Sequence, residues 1–161
     1  MIRLSPERAK LFEMPQSLAQ ILVHLVFSTK NRERLIDDDI RDDLHAYIGG
    51  IIANLSGTLL KAGSVEDHIH LLIAHPRTAS PAQLVEAIKT GSSKWMKNKG
   101  ATEFHWQNGY GAFSISPSHR PALEKYIINQ REHHRVTKFE DEYRTLLKKY
   151  GIAFDERYVW D

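Results

Sequence analysis

Two groups of side chains in this sequence have the types and spacing that chemistry needs. The first is His68-Ile69-His70. In a strand, residues two apart project from the same face, so both imidazoles point one way and Ile69 enters the opposite layer. Convergent imidazoles are a ready pair of metal ligands, although nine histidines in one chain also produce such spacings by chance. The second group is Tyr126, Gln130, His133 and His134. At 3.6 residues per turn, Gln130 lies one helical turn beyond Tyr126, and the two histidines follow on nearly the same side. A hydroxyl, an amide oxygen and imidazoles in one row suit a site that handles phosphate. The same row also describes an amphipathic boundary helix whose tyrosine packs flat, so each group alone leaves two readings open.

The elements that must position these groups follow from periodicity. Gln20–Lys30 is rich in apolar and β-branched residues and predicts a mostly buried strand. Asp37 can cap a helix whose apolar residues Ile40, Leu44, Tyr47, Ile48, Ile51, Ile52 and Leu55 recur at three- and four-residue steps, ending at Gly57. Gly49 and Gly50 inside it each cost roughly 1 kcal/mol against alanine, which predicts close approach to a neighbour. Thr58–Glu66 and His68–Ala74 predict a strand pair. Ser80-Pro81 opens a second helix to about Lys99, Ala112–Ser116 a short strand, His119–Val136 a third helix capped by Ser118, and Lys138–Tyr150 a fourth ended by Gly151. The order β-α-β-β-α-β with trailing helices predicts an α+β fold. It is the ferredoxin-like (RRM-like) split β-α-β antiparallel sheet with helices on one face, plus C-terminal helices carrying Tyr126.

Composition narrows the function classes. The 161 residues suit one domain, and 42% hydrophobic content is enough to build a core. The absence of cysteine excludes disulfides and thiolate metal sites and fits a cytoplasmic protein. No apolar run reaches the length of a membrane span, and residues 1–13 lack the apolar stretch of a secretory signal. Net charge is +2, but Asp37–Asp43 alone carries −4, leaving +6 elsewhere. The basic residues gather at Lys30/Arg32/Arg34, at Lys89/Lys94/Lys97/Lys99, and at Arg120/Lys125/Arg131/Arg135/Lys138, patches compatible with nucleic acid.

Five segments taken together resemble a known family. They are HLVFSTKNR (His24–Arg32), DHIHLLI (Asp67–Ile73), KTGSSKWMK (Lys89–Lys97), FHWQNGYGAFSIS (Phe104–Ser116) and YIINQREHH (Tyr126–His134). In content and order they are similar to the single-tyrosine HUH transposases, the small enzymes of single-strand insertion sequences and their repeat-associated relatives. The resemblance runs from about Pro15 to about Phe154. Met14 matches the family's usual start, making 1–13 an extension, 14–154 the transposase domain and 155–161 a tail. The resemblance implies that His68, His70 and Gln130 are metal ligands for Mg²⁺ or Mn²⁺ and that Tyr126 is the nucleophile. It implies DNA contacts by Lys30 and Arg32, beside which Arg34 of the same basic group is a further candidate, and action on imperfect hairpins in single-stranded DNA. It also implies a homodimer in which one subunit's tyrosine helix serves the other's histidine pair in trans. The implied setting is the cytoplasm, acting on chromosomal DNA.

That chemistry agrees with the residues. A free tyrosine has a pKa near about 10 and is a poor nucleophile at neutral pH, and no dedicated base for Tyr126 is evident in the sequence. A divalent cation would polarise a scissile phosphate. Attack by Tyr126 exchanges one phosphoester for another, giving a 5′-phosphotyrosine and a free 3′-OH. Resealing then needs no nucleotide triphosphate, in keeping with the absence of a Walker-type glycine loop. Trp95, Phe104, Trp106, Tyr110 and Phe113 are candidates for stacking bases, with Lys94 and Lys97 on phosphates; core packing is the alternative for each and the preferred one for Phe113. Imidazole ligands suit softer ions than Mg²⁺, which leaves the metal open. A domesticated hairpin-binding protein or a repeat-associated nuclease without autonomous transposition is the alternative function. An RNA-binding ferredoxin-like module would need an aromatic sheet signature that the sequence lacks.

Overall fold

The structure, a computed structural model, describes residues 17–161; the predicted extension 1–13 lies outside them. Strands β1 (Leu22–Ser28), β2 (Thr58–Ser64), β3 (His68–Ala74) and β4 (Gly111–Ile115) form one sheet in the order β2-β3-β1-β4. Every pairing is antiparallel, which is the predicted split β-α-β sheet. Helices α1 (Asp38–Asn54) and α2 (Pro81–Asn98) are the two crossovers. Three C-terminal helices follow: α3 (Arg120–Ile128), α4 (Gln130–His134) and α5 (Phe139–Lys149).

Strand alternation decides what each face touches. Leu25, Phe27, Ile69, Leu71 and Ile73 pack with Leu44, Ile48 and Ile52 of α1 and Leu84, Val85 and Ile88 of α2. The alternate residues meet the C-terminal helices: Leu22, Leu72 and Ile115 pack on Leu123 and Ile127 of α3, and Val26 and Phe113 on Phe139, Tyr143 and Leu147 of α5. Helices thus cover both faces of the sheet, α1 and α2 on one and the tyrosine-bearing set on the other. That explains why β1 and β3 are buried along almost their whole length. Among the described residues no helix is long and apolar enough to cross a membrane.

Several details differ from expectation. The predicted third helix is broken at Asn129 (φ −88°, ψ 20°) into α3 and α4; asparagine competes for its own backbone and is a weak helix former. Gly49 and Gly50 are not the close approach, since a Cβ at Gly49 would make only ordinary contact with Leu59 and one at Gly50 would meet nothing. The close approach of α1 and α2 is at Gly91, where a Cβ would lie 2.7 Å from Ile51 Cδ1. Beyond α1 it is Ser56 that takes the left-handed turn (φ 67°). Gly57 is needed for space, because a Cβ there would stand 2.9 Å from Ile52 Cγ2. The start of α2 at Ser80-Pro81 is as predicted, and Ser80 also forms a reciprocal capping box with Gln83. The segment 155–161 is docked, with Val159 and Trp160 against the α5 cluster and the Asp161 carbonyl accepting from Gly109 N–H at 3.0 Å.

Candidate active site

The face that α3 and α5 cover contains the chemistry. β1 and β3 run antiparallel with Ser28 opposite His68 and Val26 opposite His70, so His24, His68 and His70 share one face. Gly63 of β2 stands opposite His70, and α3 lies directly over it. A Cβ at Gly63 would collide with the carbonyl oxygen of Ile127. That glycine lets the helix come down on the sheet and sets the height of Tyr126, the residue before Ile127.

Both histidines of the predicted pair are fully buried and held from behind. His68 Nδ1 donates to Asp67 Oδ1 at 2.7 Å. His70 Nδ1 is 2.9 Å from His24 Nε2, the rings stacked at 5.1 Å. The Nε2 atoms point inward. His68 Nε2 is 2.9 Å from His134 Nε2, and His70 Nε2 is 2.9 Å from Glu142 Oε1. Glu142, buried on α5, is the hub: the Tyr126 hydroxyl donates to its Oε2, His134 Nε2 lies 3.2 Å away and His133 Nε2 2.8 Å away.

The electrostatics follow from this packing. Burial pushes His70 down to about 4, partly opposed by Glu142, and burial with the neighbouring His70 lowers His24 as well. Both rings are therefore neutral near pH 7, the form that offers a lone pair to a metal. For Glu142, burial works to raise the pKa, but the hydrogen bonds of His134 and His70 prevail and hold the carboxyl well below its usual range. Burial and the Glu142 charge push the Tyr126 phenol above its ordinary value. As placed, the hydroxyl is a held proton donor whose ionisation needs the Glu142 charge to be offset.

The implied divalent cation fits the residues present. His68, His70, His134 and Glu142 offer ligand atoms all within 4.8 Å of one another. Gln130 is buried on α4 and uses its Nε2 to donate to the Tyr126 carbonyl at 3.2 Å, while its Oε1 has no partner. A buried amide oxygen without a donor is what a cation or a substrate N–H would satisfy.

Of the predicted site residues, the structure brings Tyr126, His68 and His70 together within one chain, with Gln130 bonded to the Tyr126 carbonyl. Lys30, Arg32 and Arg34 leave the end of β1 beside the start of β3, with Leu35 N–H and Ile36 N–H bonded to the Glu66 carbonyl. Arg34, with Lys138, borders a cavity of about 190 Å³ that reaches Asp67 and His134. Arg32 is paired with Glu140 at 2.6 Å and Lys30 is exposed. Lys94, Trp95 and Lys97 lie on α2, across the sheet from Tyr126; Trp95 stacks on Tyr47 at 5.3 Å under the Lys99 ammonium. Phe104, Trp106 and Phe113 are core residues, Trp106 donating to Ser92 Oγ, whereas Tyr110 is partly exposed.

Sequence reasoning missed Glu142 and the placement of His24 and Asp67, whereas His134 stood in the predicted row with Tyr126. One signal was available: in α5 Glu142 falls on the stripe of Phe139, Tyr143, Leu146 and Leu147, where an acidic residue is out of place unless partnered. On the other side of Tyr126 lies a half-open cavity of about 550 Å³ between α3 and α5, with Leu123, Leu146 and Tyr150 on its walls and His119 and Lys149 among its polar groups.

Residues 17–130 match the family model described as "Transposase IS200 like". The curated ISDra2 transposase TnpA of Deinococcus radiodurans is 27% identical over 121 residues, covering 70% of this chain and 86% of that protein. Among solved structures, a candidate transposase of Deinococcus radiodurans R1 superposes with a TM-score of 0.59 at 22% identity, covering 73% of this chain and 98% of the other. A REP-associated tyrosine transposase bound to a REP hairpin superposes with a TM-score of 0.57 at 13% identity, covering 75% of this chain and 73% of that one.

Proposed function

Because the chain belongs to the IS200-like transposase family, whose activity is DNA cleavage, we propose that it cuts and rejoins single-stranded DNA by transesterification at Tyr126, with hairpins as the recognised feature. The observation that carries this reading is the Tyr126 hydroxyl bonded to Glu142 in the middle of the His68/His70/His134 cluster. The hairpin-bound relative supports hairpin recognition. The substrate is chromosomal DNA in the cytoplasm.

In this reading the Tyr126 oxygen attacks the scissile phosphorus, the P–O3′ bond breaks, and the departing 3′ oxygen takes up a proton to become a free 3′-OH. A divalent cation, Mg²⁺ or Mn²⁺, held by His68 and His70 would supply Lewis-acid stabilisation of the charge that develops on the phosphate. Glu142 orients the Tyr126 hydroxyl and is positioned to receive its proton, with His133 and His134 against the same carboxylate oxygen. Gln130 fixes the last turn of α3 through the Tyr126 carbonyl. Arg34 and Lys138 on one side and Lys149 and His119 on the other offer positive or hydrogen-bonding groups to phosphates flanking the cut. The stacked Trp95 and the lysines of α2 are proposed to meet DNA outside the cleavage site.

Tyr126→Phe removes only the hydroxyl. With single-stranded hairpin DNA labelled 3′ of the cut, the wild-type protein should form a covalent adduct that survives denaturing electrophoresis. The variant should bind the same DNA and form none. An adduct of undiminished yield in the variant would assign the nucleophile elsewhere.

A further inference from the structure

We propose that the cavity beside Tyr126 is a nucleobase pocket. It takes the base of one nucleotide next to the scissile phosphate, so that the protein itself reads the sequence at the cut. The proposal rests on the reading of Tyr126 as the residue that attacks DNA.

The cavity, about 550 Å³, has the size of a small-molecule site. Tyr126 and Glu142 stand at its inner end, and Leu123 of α3, Leu146 of α5 and Ile115 of β4 are its walls. Whatever enters therefore lies against the nucleophile. Apolar walls ending on a buried carboxylate reject an anion and accept a flat neutral ring. Tyr150 supplies a fixed aromatic wall: its hydroxyl donates to the Ser114 carbonyl at 3.1 Å, and its ring lies 4.7 Å from that of Phe113. Aromatic walls are what unpaired bases stack on. Thr145 adds a polar edge, since its hydroxyl donates to the Asp141 carbonyl at 2.8 Å and keeps its lone pairs for a base N–H.

The chemistry changes toward the outside. Ile115, His119, Lys149 and Tyr150 also border a second cleft, of about 400 Å³, at the end of the edge strand β4. The rest of its lining is serine, with Ser116 Oγ and Ser118 Oγ 3.1 Å apart. Hydroxyls and an ammonium are groups that bind phosphate. From Tyr126 outward the trough is first apolar, then cationic and hydroxylic. A nucleotide joined to the phosphate at Tyr126 presents its base and its next phosphate in that order. An apolar side chain of another protein would match the first part and not the second.

The test uses the full-length protein and single-stranded hairpin DNA in which one base at a time, on either side of the cut, is replaced by an abasic site. At one position adjoining the cut, adduct formation by the wild-type chain should fall by the roughly 5–150-fold that a stacked base is worth. Ala122 lines the cavity from an exposed position on α3, one turn before Tyr126, so Ala122→Trp fills the space with an indole. That variant should form adduct more slowly on intact DNA by a similar factor and be indifferent to the missing base, the two changes failing to add. The proposal is overturned if no abasic position matters to the wild type, or if Ala122→Trp keeps its full sensitivity to the missing base. In both cases an adduct on intact DNA leaves the Tyr126 reading standing. If the wild type forms no adduct on any DNA, that reading fails and fluorescence decides the pocket alone. 2-Aminopurine at one single-stranded position should then change its emission on binding the wild type and not on binding Ala122→Trp; equal signals, or none, would overturn the pocket. Should Ala122→Trp not fold, Thr145→Trp, from an exposed position on α5, fills the same space.

Discussion

His45 shows how the buried histidines of this chain tie stability to pH. Its Nε2 is 2.9 Å from Ser64 Oγ, and burial pushes it from 6.5 to about 4, as burial does for His70. A histidine whose folded pKa is lowered stays neutral while the unfolded chain takes up a proton. Its contribution is therefore intact above about pH 6.5 and is lost as pH falls toward 4. For His45 the shift corresponds to at most about 3 kcal/mol, less after solvent screening of a partly exposed ring. Urea midpoints measured from pH 7 to 4 should fall steadily, and His45→Gln should flatten part of that slope; an unchanged profile would show that His45 is not held neutral. At this scale the sequence was informative wherever a residue's neighbours are local. His68 and His70 could be placed on one face because strand geometry alone does it. Glu142 could not be joined to them, because its three imidazole contacts and its tyrosine come from β3, α3 and α4 and nothing in its own helix names them.

Among the elements, the contact of α3 with β2 has the least room. The Gly63 Cα faces the backbone of Ile127, and a backbone carbonyl cannot rotate aside as a side-chain tip can. Gly63→Ala should therefore lift α3 from the sheet, costing about 1–3 kcal/mol as overpacking does, and should lower adduct formation by displacing Tyr126. Gly91→Ala is the control. Its Cβ would meet only the mobile end of Ile51, and alanine in a helix recovers up to about 1 kcal/mol, so melting temperature and adduct yield should stay near wild type. Equal behaviour of the two variants in both measurements would remove Gly63 from the account. The elements themselves were largely legible: the Ser80-Pro81 helix start, the strand pair and both crossover helices follow from local pattern. The break at Asn129 was not, since Tyr126 to Val136 has one continuous helical periodicity and the break appears only where α4 turns its Gln130 into the site. The use of the second sheet face was equally hidden, because amphipathic α5 announces that it buries a stripe but not against which surface.

For the molecule as a whole, the question is whether one chain suffices to build the site. The resemblance to the family implies a homodimer with the tyrosine helix acting in trans, whereas the geometry supports a site within one chain. Tyr126 and His70 have ring centroids 5.6 Å apart, and Leu123 and Ile127 of the same helix are buried on Leu22, Leu72 and Ile115. Exchange of α3 between subunits would first have to expose those two side chains, at about 1.5–3 kcal/mol each. A swing about the short segment Pro117–His119 would carry Tyr126, His134 and Glu142 together and break the contacts of His134 with His68 and of Glu142 with His70. The same burial could be remade in a partner, so the cost falls on the path rather than on the end state, and experiment can separate the two arrangements. His68→Ala and Tyr126→Phe, each inactive alone, are mixed under conditions in which differently tagged subunits are shown to exchange, or shown to remain monomeric. The substrate carries a single hairpin, so only one site need act. With sites built in cis, every chain keeps one defect and no covalent adduct should appear. With sites shared in trans, half the sites of a mixed dimer receive neither defect, and the intact tyrosine of the His68→Ala chain should become linked to DNA. Appearance of that adduct would overturn the single-chain site and make the arrangement seen here one that α3 leaves on pairing.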